Sequence, residues 1–154
     1  MYESEWDYKS AVDDFLRPRR QKDVVVVHAS PPCTEFSVAL TTRPRNLRAG
    51  AKNVKRALAI IDYADPTFCF LENPATGLLE DQPFTRKFAQ REHETCCCKR
   101  GFPYKKPTNI WSNLELELPM CNSSTPCRIK REFGRHLFTA QSGVSKPRAD
   151  LRLG

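Results

Sequence analysis

The sequence predicts an α/β fold with a mostly parallel sheet, followed by an irregular basic C-terminal region, and three features carry that prediction. Asp23-Val24-Val25-Val26-Val27-His28-Ala29 is a β-branched run with no polar alternation until its end. That is how a central strand of a parallel sheet reads, buried on both faces. Between Arg48 and Tyr63 the apolar residues Val54, Leu58 and Ile61 recur at helical spacing, supported by Ala57 and Ile60, while Lys52, Lys55, Arg56 and Asp62 point elsewhere. Thr67-Phe68-Cys69-Phe70-Leu71 is a second short apolar run. A strand, a helix and a strand joined this way make parallel neighbours with a right-handed crossover.

Each element has a local reason to stop. Ser30-Pro31-Pro32-Cys33 ends the first strand, because neither proline can donate to a sheet ladder. Asp65-Pro66 closes the helix, and Glu72-Asn73-Pro74 closes the second strand. Beyond Gly77 the pattern weakens. Phe84–Ala89 is compatible with a short helix, His93–Cys98 with a strand of alternating buried thiols, and Asn109–Asn113 with a strand returning against the earlier one. Gly101–Pro107 reads as a hairpin or an irregular basic loop. From Pro119 onward the composition is that of loops and a poorly ordered tail that includes Lys146-Pro147-Arg148, so residues 1–118 and 119–154 are read as two parts of one domain.

With 154 residues, 40% of them hydrophobic, the chain can supply one modest core. No apolar stretch approaches the roughly 20 residues of a membrane-spanning helix. The amino terminus has neither a basic nor an apolar signal region, so secretion is not expected. The 25 Lys and Arg against 18 Asp and Glu give a net charge of +7. A polyanionic partner and a merely basic protein are equally compatible with that charge. Seven cysteines, three of them consecutive, suit a reducing compartment, cytoplasmic or nuclear, better than a disulfide framework.

If the two strands are parallel neighbours, their carboxyl ends share one sheet edge, where open α/β folds place ligands. Cys33 and Glu72 then converge on one cleft. A cysteine just past a strand, beside a carboxylate, has the placement of an activated nucleophile; the plainer alternative is a small buried hydrophobe. Glu72 at the end of an apolar strand is either solvated, paired or used.

These residues carry a family resemblance. Ser30-Pro31-Pro32-Cys33-Thr34-Glu35-Phe36-Ser37 resembles the Pro-Cys motif of the cytosine-5 DNA methyltransferases. Phe70-Leu71-Glu72-Asn73-Pro74 resembles their Glu-Asn motif in its phage- and virus-type form, and Gly101–Trp111 that subgroup's basic motif. Both motifs in order, flanking a helix, are a specific signal. The resemblance implies a partial Rossmann-like, S-adenosylmethionine-dependent methyltransferase fold acting on cytosine flipped out of double-stranded DNA. It assigns Cys33, Glu72 and Asn73 to catalysis and Asp7, Pro31 and Pro32 to the cofactor. DNA contacts fall to Ser37, Arg43, Lys105, Lys106 and Thr108.

The sequence departs from the family at stated places. The Phe-x-Gly-x-Gly loop and the acidic ribose residue are not found, so the catalytic domain is expected to be truncated at its amino terminus. The expected partners are therefore DNA and a separately encoded amino-terminal half. Lys106 stands where the family carries arginine, whose bidentate fork lysine lacks. Two other readings are an inactive remnant that still binds DNA and an unrelated small basic fold. Cys121, Cys127 and His136, with Cys98, offer four metal ligands. Five residues between the first two exceed the usual knuckle spacing, so no metal is expected.

Overall fold

The computed structural model describes residues 5–20, 22–88 and 91–139, and among these no helix is long and apolar enough to cross a membrane. They form two compact units. One comprises the described residues up to Glu94 together with Thr108–Glu117; the other comprises Thr95–Pro107 and the described residues from Leu118 onward. The segment 95–107 groups with the C-terminal part of the chain.

The first unit opens with helix α1 (Glu5–Leu16), then β1 (Val26–Ala29), α2 (Leu47–Ala64), β2 (Phe68–Pro74) and α3 (Pro83–Phe88). β1 and β2 are parallel, with His28 opposite Phe70 and Ala29 opposite Leu71. The helix lies where its spacing placed it. Asn46 caps its start by accepting from the Ala49 N–H at 2.9 Å, and Asp65, in the left-handed region at φ 40°, ends it. Val54, Leu58 and Ile61 are buried, as an apolar stripe requires. Phe36, Val54, Leu58, Leu71, Leu79 and Trp111 form the core of this unit. Each such side chain contributes about 1.5–3 kcal/mol by leaving water.

Three expectations are corrected here. The sheet is mixed rather than mostly parallel: its order is β1-β2-β5-β3, and β5 (Pro107–Ser112) runs antiparallel to β2. This is the strand returning against the earlier one. β1 is also shorter than 23–29 and is not buried on both faces. Among the described residues it lies at the edge of the sheet, and Val24 and Val26 are 63% and 55% exposed. A β-branched run fixes strand propensity; only a second neighbour would bury it. Finally, β3 (Glu92–Cys96) stops before the cysteine triplet ends, and Cys97–Arg100 form a 3₁₀ turn closed by Gly101 at φ 90°.

In the second unit, β4 (Tyr104–Lys105) pairs in parallel with β6 (Phe138–Thr139), so the strand within Gly101–Pro107 finds its partner far along the chain rather than in a local hairpin. The segment after Pro119 is not uniformly loop either. It carries α4 (Arg128–Phe133), ended by Gly134 at φ 70°. Residues 146–148 lie outside the described residues.

Candidate functional site

The parallel register sets the site. One residue beyond the Ala29–Leu71 pair, the Ser30 hydroxyl donates to Glu72 Oε2 at 2.5 Å. One residue further, the Asn73 amide donates to the Pro31 carbonyl at 2.9 Å. The Pro31-Pro32 step has no N–H of its own, so its link to the neighbouring strand must come from a side-chain donor. Asn73 supplies it, buried in β2 opposite Asn109 of β5. Its Oδ1 is buried with no hydrogen-bond partner. An orphaned buried acceptor is costly by about 1–3 kcal/mol.

The far side of the loop is held as firmly. Phe36 is fully buried, and its N–H closes a turn onto the Cys33 carbonyl at 3.0 Å. Its own carbonyl accepts from the Leu78 N–H at 2.9 Å, and Ser37 bridges to Gly77. Gly50 of α2 lets the loop approach: a Cβ there would lie 2.8 Å from Glu35 Cβ and 3.0 Å from Phe36 Cε2. Cys33 thus sits, partly exposed, in a segment tied at one end to the strand that carries Glu72 and Asn73 and at the other to Gly77 and Leu78 just beyond it.

The residues expected to contact DNA fare unequally. Arg43 grips Glu35 with both guanidinium nitrogens, so its fork is already occupied. Those bonds, with the Asn46 N–H, hold the Glu35 carboxyl at about 2 against the opposing effect of desolvation. Ser37 accepts from the Ala39 N–H through its hydroxyl and from Arg45 through its carbonyl. Thr108 is 5% exposed in β5 opposite Pro74, so its hydroxyl is buried within the sheet. Lys105 and Lys106 belong to the second unit, where Lys105 is exposed.

Sequence reasoning missed a basic groove in the first unit. An open cavity of about 1030 Å³ lies between the start of α2 and α3, lined by Arg48, Lys52, Lys55 and Phe84 among others. Lys55 Nζ stands 5.3 Å from the centre of the Phe84 ring. The signal was present in the helix pattern, whose polar face is basic, but a charged helix face is ordinarily only solvated. A polar cluster was also missed. The Asn109 amide donates to Glu80 at 2.9 Å and to Glu92, and Trp111 Nε1 donates to Glu92 at 3.0 Å. Burial pushes the Glu92 carboxyl above its ordinary value, with Glu80 adding to the rise and Trp111 and Asn109 opposing it.

Pro31 is buried with its carbonyl engaged by Asn73, Pro32 is exposed, and Asp7 falls in α1 with its side chain outside the described residues. A second cavity, of about 260 Å³ between α1, β1 and α2, is lined among the described residues by Tyr8, Phe15, Val25, Val27 and Ile60, with no charged side chain. Neither cavity is lined by Cys33 or Glu72.

In the second unit, the sulfurs of Cys98, Cys121 and Cys127 and a ring nitrogen of His136 all lie within 4.8 Å of one another. The spacing objection to these ligands fails for a local reason. Asn122 Oδ1 accepts from the Thr125 N–H at 2.7 Å and from its hydroxyl at 2.9 Å, which folds residues 122–125 into a turn. The Cys127 N–H then donates to Cys121 Sγ at 3.2 Å. Burial and the neighbouring thiols push the Cys98 thiol above its usual range.

No family model matches the chain. Over 141 residues, 80% of the chain, it is 30% identical to a protein of Frog virus 3 (isolate Goorha) named as a probable DNA (cytosine-5)-methyltransferase. The chain spans 59% of that protein's length.

Proposed function

From a chain related by sequence to the DNA (cytosine-5)-methyltransferases, we propose a protein that binds DNA and carries the nucleophile and base-recognition half of a cytosine-5 methyltransferase site, on a partial Rossmann-like fold. The observation that carries this reading is the pair of hydrogen bonds, Ser30 to Glu72 and Asn73 to Pro31, that ties the Pro-Cys loop to the Glu-Asn strand end.

Cytosine C5 is a poor nucleophile. The Cys33 thiolate adds to C6, forming the C6–S bond and moving an electron pair onto C5. Glu72 holds the N3 edge and the exocyclic amine of the flipped base, stabilising the charge that develops on addition. C5 then takes an electrophile, the C5 proton is lost, and the thiolate leaves to restore the ring. When water supplies the electrophile, the net result is exchange of the C5 hydrogen. Asn73 is a positioning residue that fixes the Pro31 carbonyl and with it the loop carrying Cys33. Extruding the base costs a few kcal/mol, offset by phosphate contacts. Arg48, Lys52 and Lys55 in the open groove are better suited to those contacts than Arg43 or Thr108, and Lys105 and Lys106 add charge on the second unit.

S-adenosylmethionine is the donor the relationship implies, yet the described residues do not fit it: among those lining the cavity beside β1, none is charged and Tyr8 alone carries a polar group, too little to hold an amino acid and a ribose. They account for the base half of the reaction. The exposed Val26 on the sheet edge favours a reading in which a further strand, carried by a separate amino-terminal half, completes the donor side.

Release of tritium from DNA labelled at cytosine C5 tests the first reading without a donor. The chain is expected to release it, and Cys33→Ser to reduce release by roughly a thousandfold or more. Wild-type release by Cys33→Ser would remove the mechanism. Methyl transfer from labelled S-adenosylmethionine by the isolated chain would remove the second reading.

A further inference from the structure

We propose that Cys98, Cys121, Cys127 and His136 form a structural zinc site that holds the second unit together. The case rests on geometry and on what that unit lacks, and is independent of the reading of Cys33 and Glu72.

The geometry is that of a closed tetrahedral site. With Zn–S near 2.3 Å and Zn–N near 2.0–2.1 Å, tetrahedral ligands stand about 3.6–3.8 Å apart. His136 Nε2 lies 3.4 Å from Cys121 Sγ and 3.4 Å from Cys127 Sγ, and all four ligand atoms fit within 4.8 Å of one another. The three sulfurs are buried, with Met120 and Ile129 packed against them, as suits soft ligands and a borderline-soft cation. Two backbone N–H groups point at the sulfurs: Cys127 to Cys121 at 3.2 Å and Lys130 to Cys127 at 3.4 Å. Such donors orient thiolates and spread their negative charge. Four protein ligands leave no open position, so the ion's role is structural rather than catalytic.

The unit has little else to fold around. Among the described residues its buried cluster is made of Cys96, Cys98, Cys121 and Cys127, with Met120 and Ile129 partly buried beside it, its strands β4 and β6 are two residues long, and α4 buries no residue. Phe102 and Phe133 are exposed. Units with so small an apolar core need a staple, and the metal-binding free energy becomes folding free energy. The ligands bracket Lys105 and Lys106 in sequence, so the same ion would order the basic segment. Cys96 Sγ lies 3.1 Å from Cys98 Sγ but outside the set whose ligand atoms are all mutually close.

The full chain, produced in zinc-supplemented medium, is expected to contain one zinc per chain by elemental analysis. Cys98→Ser and Cys121→Ser lose it, whereas Cys33→Ser and Cys97→Ser keep it. Because ligand variants can fail to fold, the wild-type chain stripped and reloaded with Co²⁺ provides a second readout. A tetrahedral site with thiolate ligands gives intense visible d–d bands and sulfur-to-cobalt charge transfer. His136→Cys retains cobalt binding with a shifted spectrum, as one added thiolate requires. A folded chain with no zinc and no tetrahedral cobalt spectrum would overturn the site. Loss of metal in Cys96→Ser, with retention in His136→Ala, would overturn the ligand set.

Discussion

The two units hold their cysteines by opposite means. In the first, Cys33 stands partly exposed at a strand end, and what positions it is apolar packing together with hydrogen bonds made by other residues. Phe36 is fully buried behind it, Gly50 lets the loop pass, and Asn73 ties the Pro31 carbonyl. In the second, the thiols are themselves the core, packed against one another and His136, with hardly any apolar mass beside them. A thiol kept for chemistry needs access and a scaffold it does not support. A thiol that is the scaffold needs burial and a partner. Residue type alone separates neither case; the surroundings do.

The sharpest way to break this contrast is at Glu72. Glu72→Gln keeps an acceptor for the Ser30 hydroxyl but removes the charge that the proposed addition step uses. Exchange of the cytosine C5 hydrogen is expected to fall by about 10²–10⁴. The free energy of unfolding should change by no more than about 0.5 kcal/mol, as for a partly exposed strand end. Equal losses of stability and exchange would make Glu72 a structural residue and erase the distinction between the units.

A smaller effect tests the scaffold itself. Phe36→Ala removes a ring packed against α2 and the β2–β5 layer, and is expected to cost about 3–5 kcal/mol in denaturant titration. Ile129→Ala beside the cysteine cluster, only partly buried, should cost about 1 kcal/mol or less. If the two costs came out alike, the second unit would have an apolar core after all.

The parts legible in the sequence are those whose causes are local. α2 follows from Val54, Leu58 and Ile61 at helical spacing and from the Asp65-Pro66 stop, and its ends fall within a residue of the reading. The parallel pairing of β1 and β2 follows from the helical crossover, and with it the shared edge of Ser30–Cys33 and Glu72–Asn73. What was not legible depends on partners far away in the chain. The valine run reads as buried on both faces because the sequence does not say that β1 has one described neighbour. β4 finds β6 more than thirty residues on, which no turn signal announces. The cysteine cluster escaped a spacing rule built for ligands on one knuckle, because its four ligands come from separate segments and an Asn122 turn closes the gap between two of them.

The smallest expected effect lies in the loop that follows Cys33. Glu35 accepts from the Arg43 guanidinium and, at 2.6 Å, from the Asn46 N–H, so its carboxyl is held at about 2 in the folded chain against an ordinary value of 4.5. A depressed folded value means that the carboxylate's contribution is fully present above pH 4.5 and is lost as the pH falls toward 2. The pair is open to solvent, where salt and side-chain entropy blunt ion pairs, so the loss is modest beside that from Phe36. Melting temperatures between pH 2 and 6 should show a slope in the wild type that Glu35→Gln flattens and that added salt weakens. Should the slope survive in Glu35→Gln, another carboxylate sets it. The Glu35–Arg43 pair would then add little, and the packing of Phe36 with the hydrogen bonds from Asn73 and Leu78 would fix where Cys33 sits.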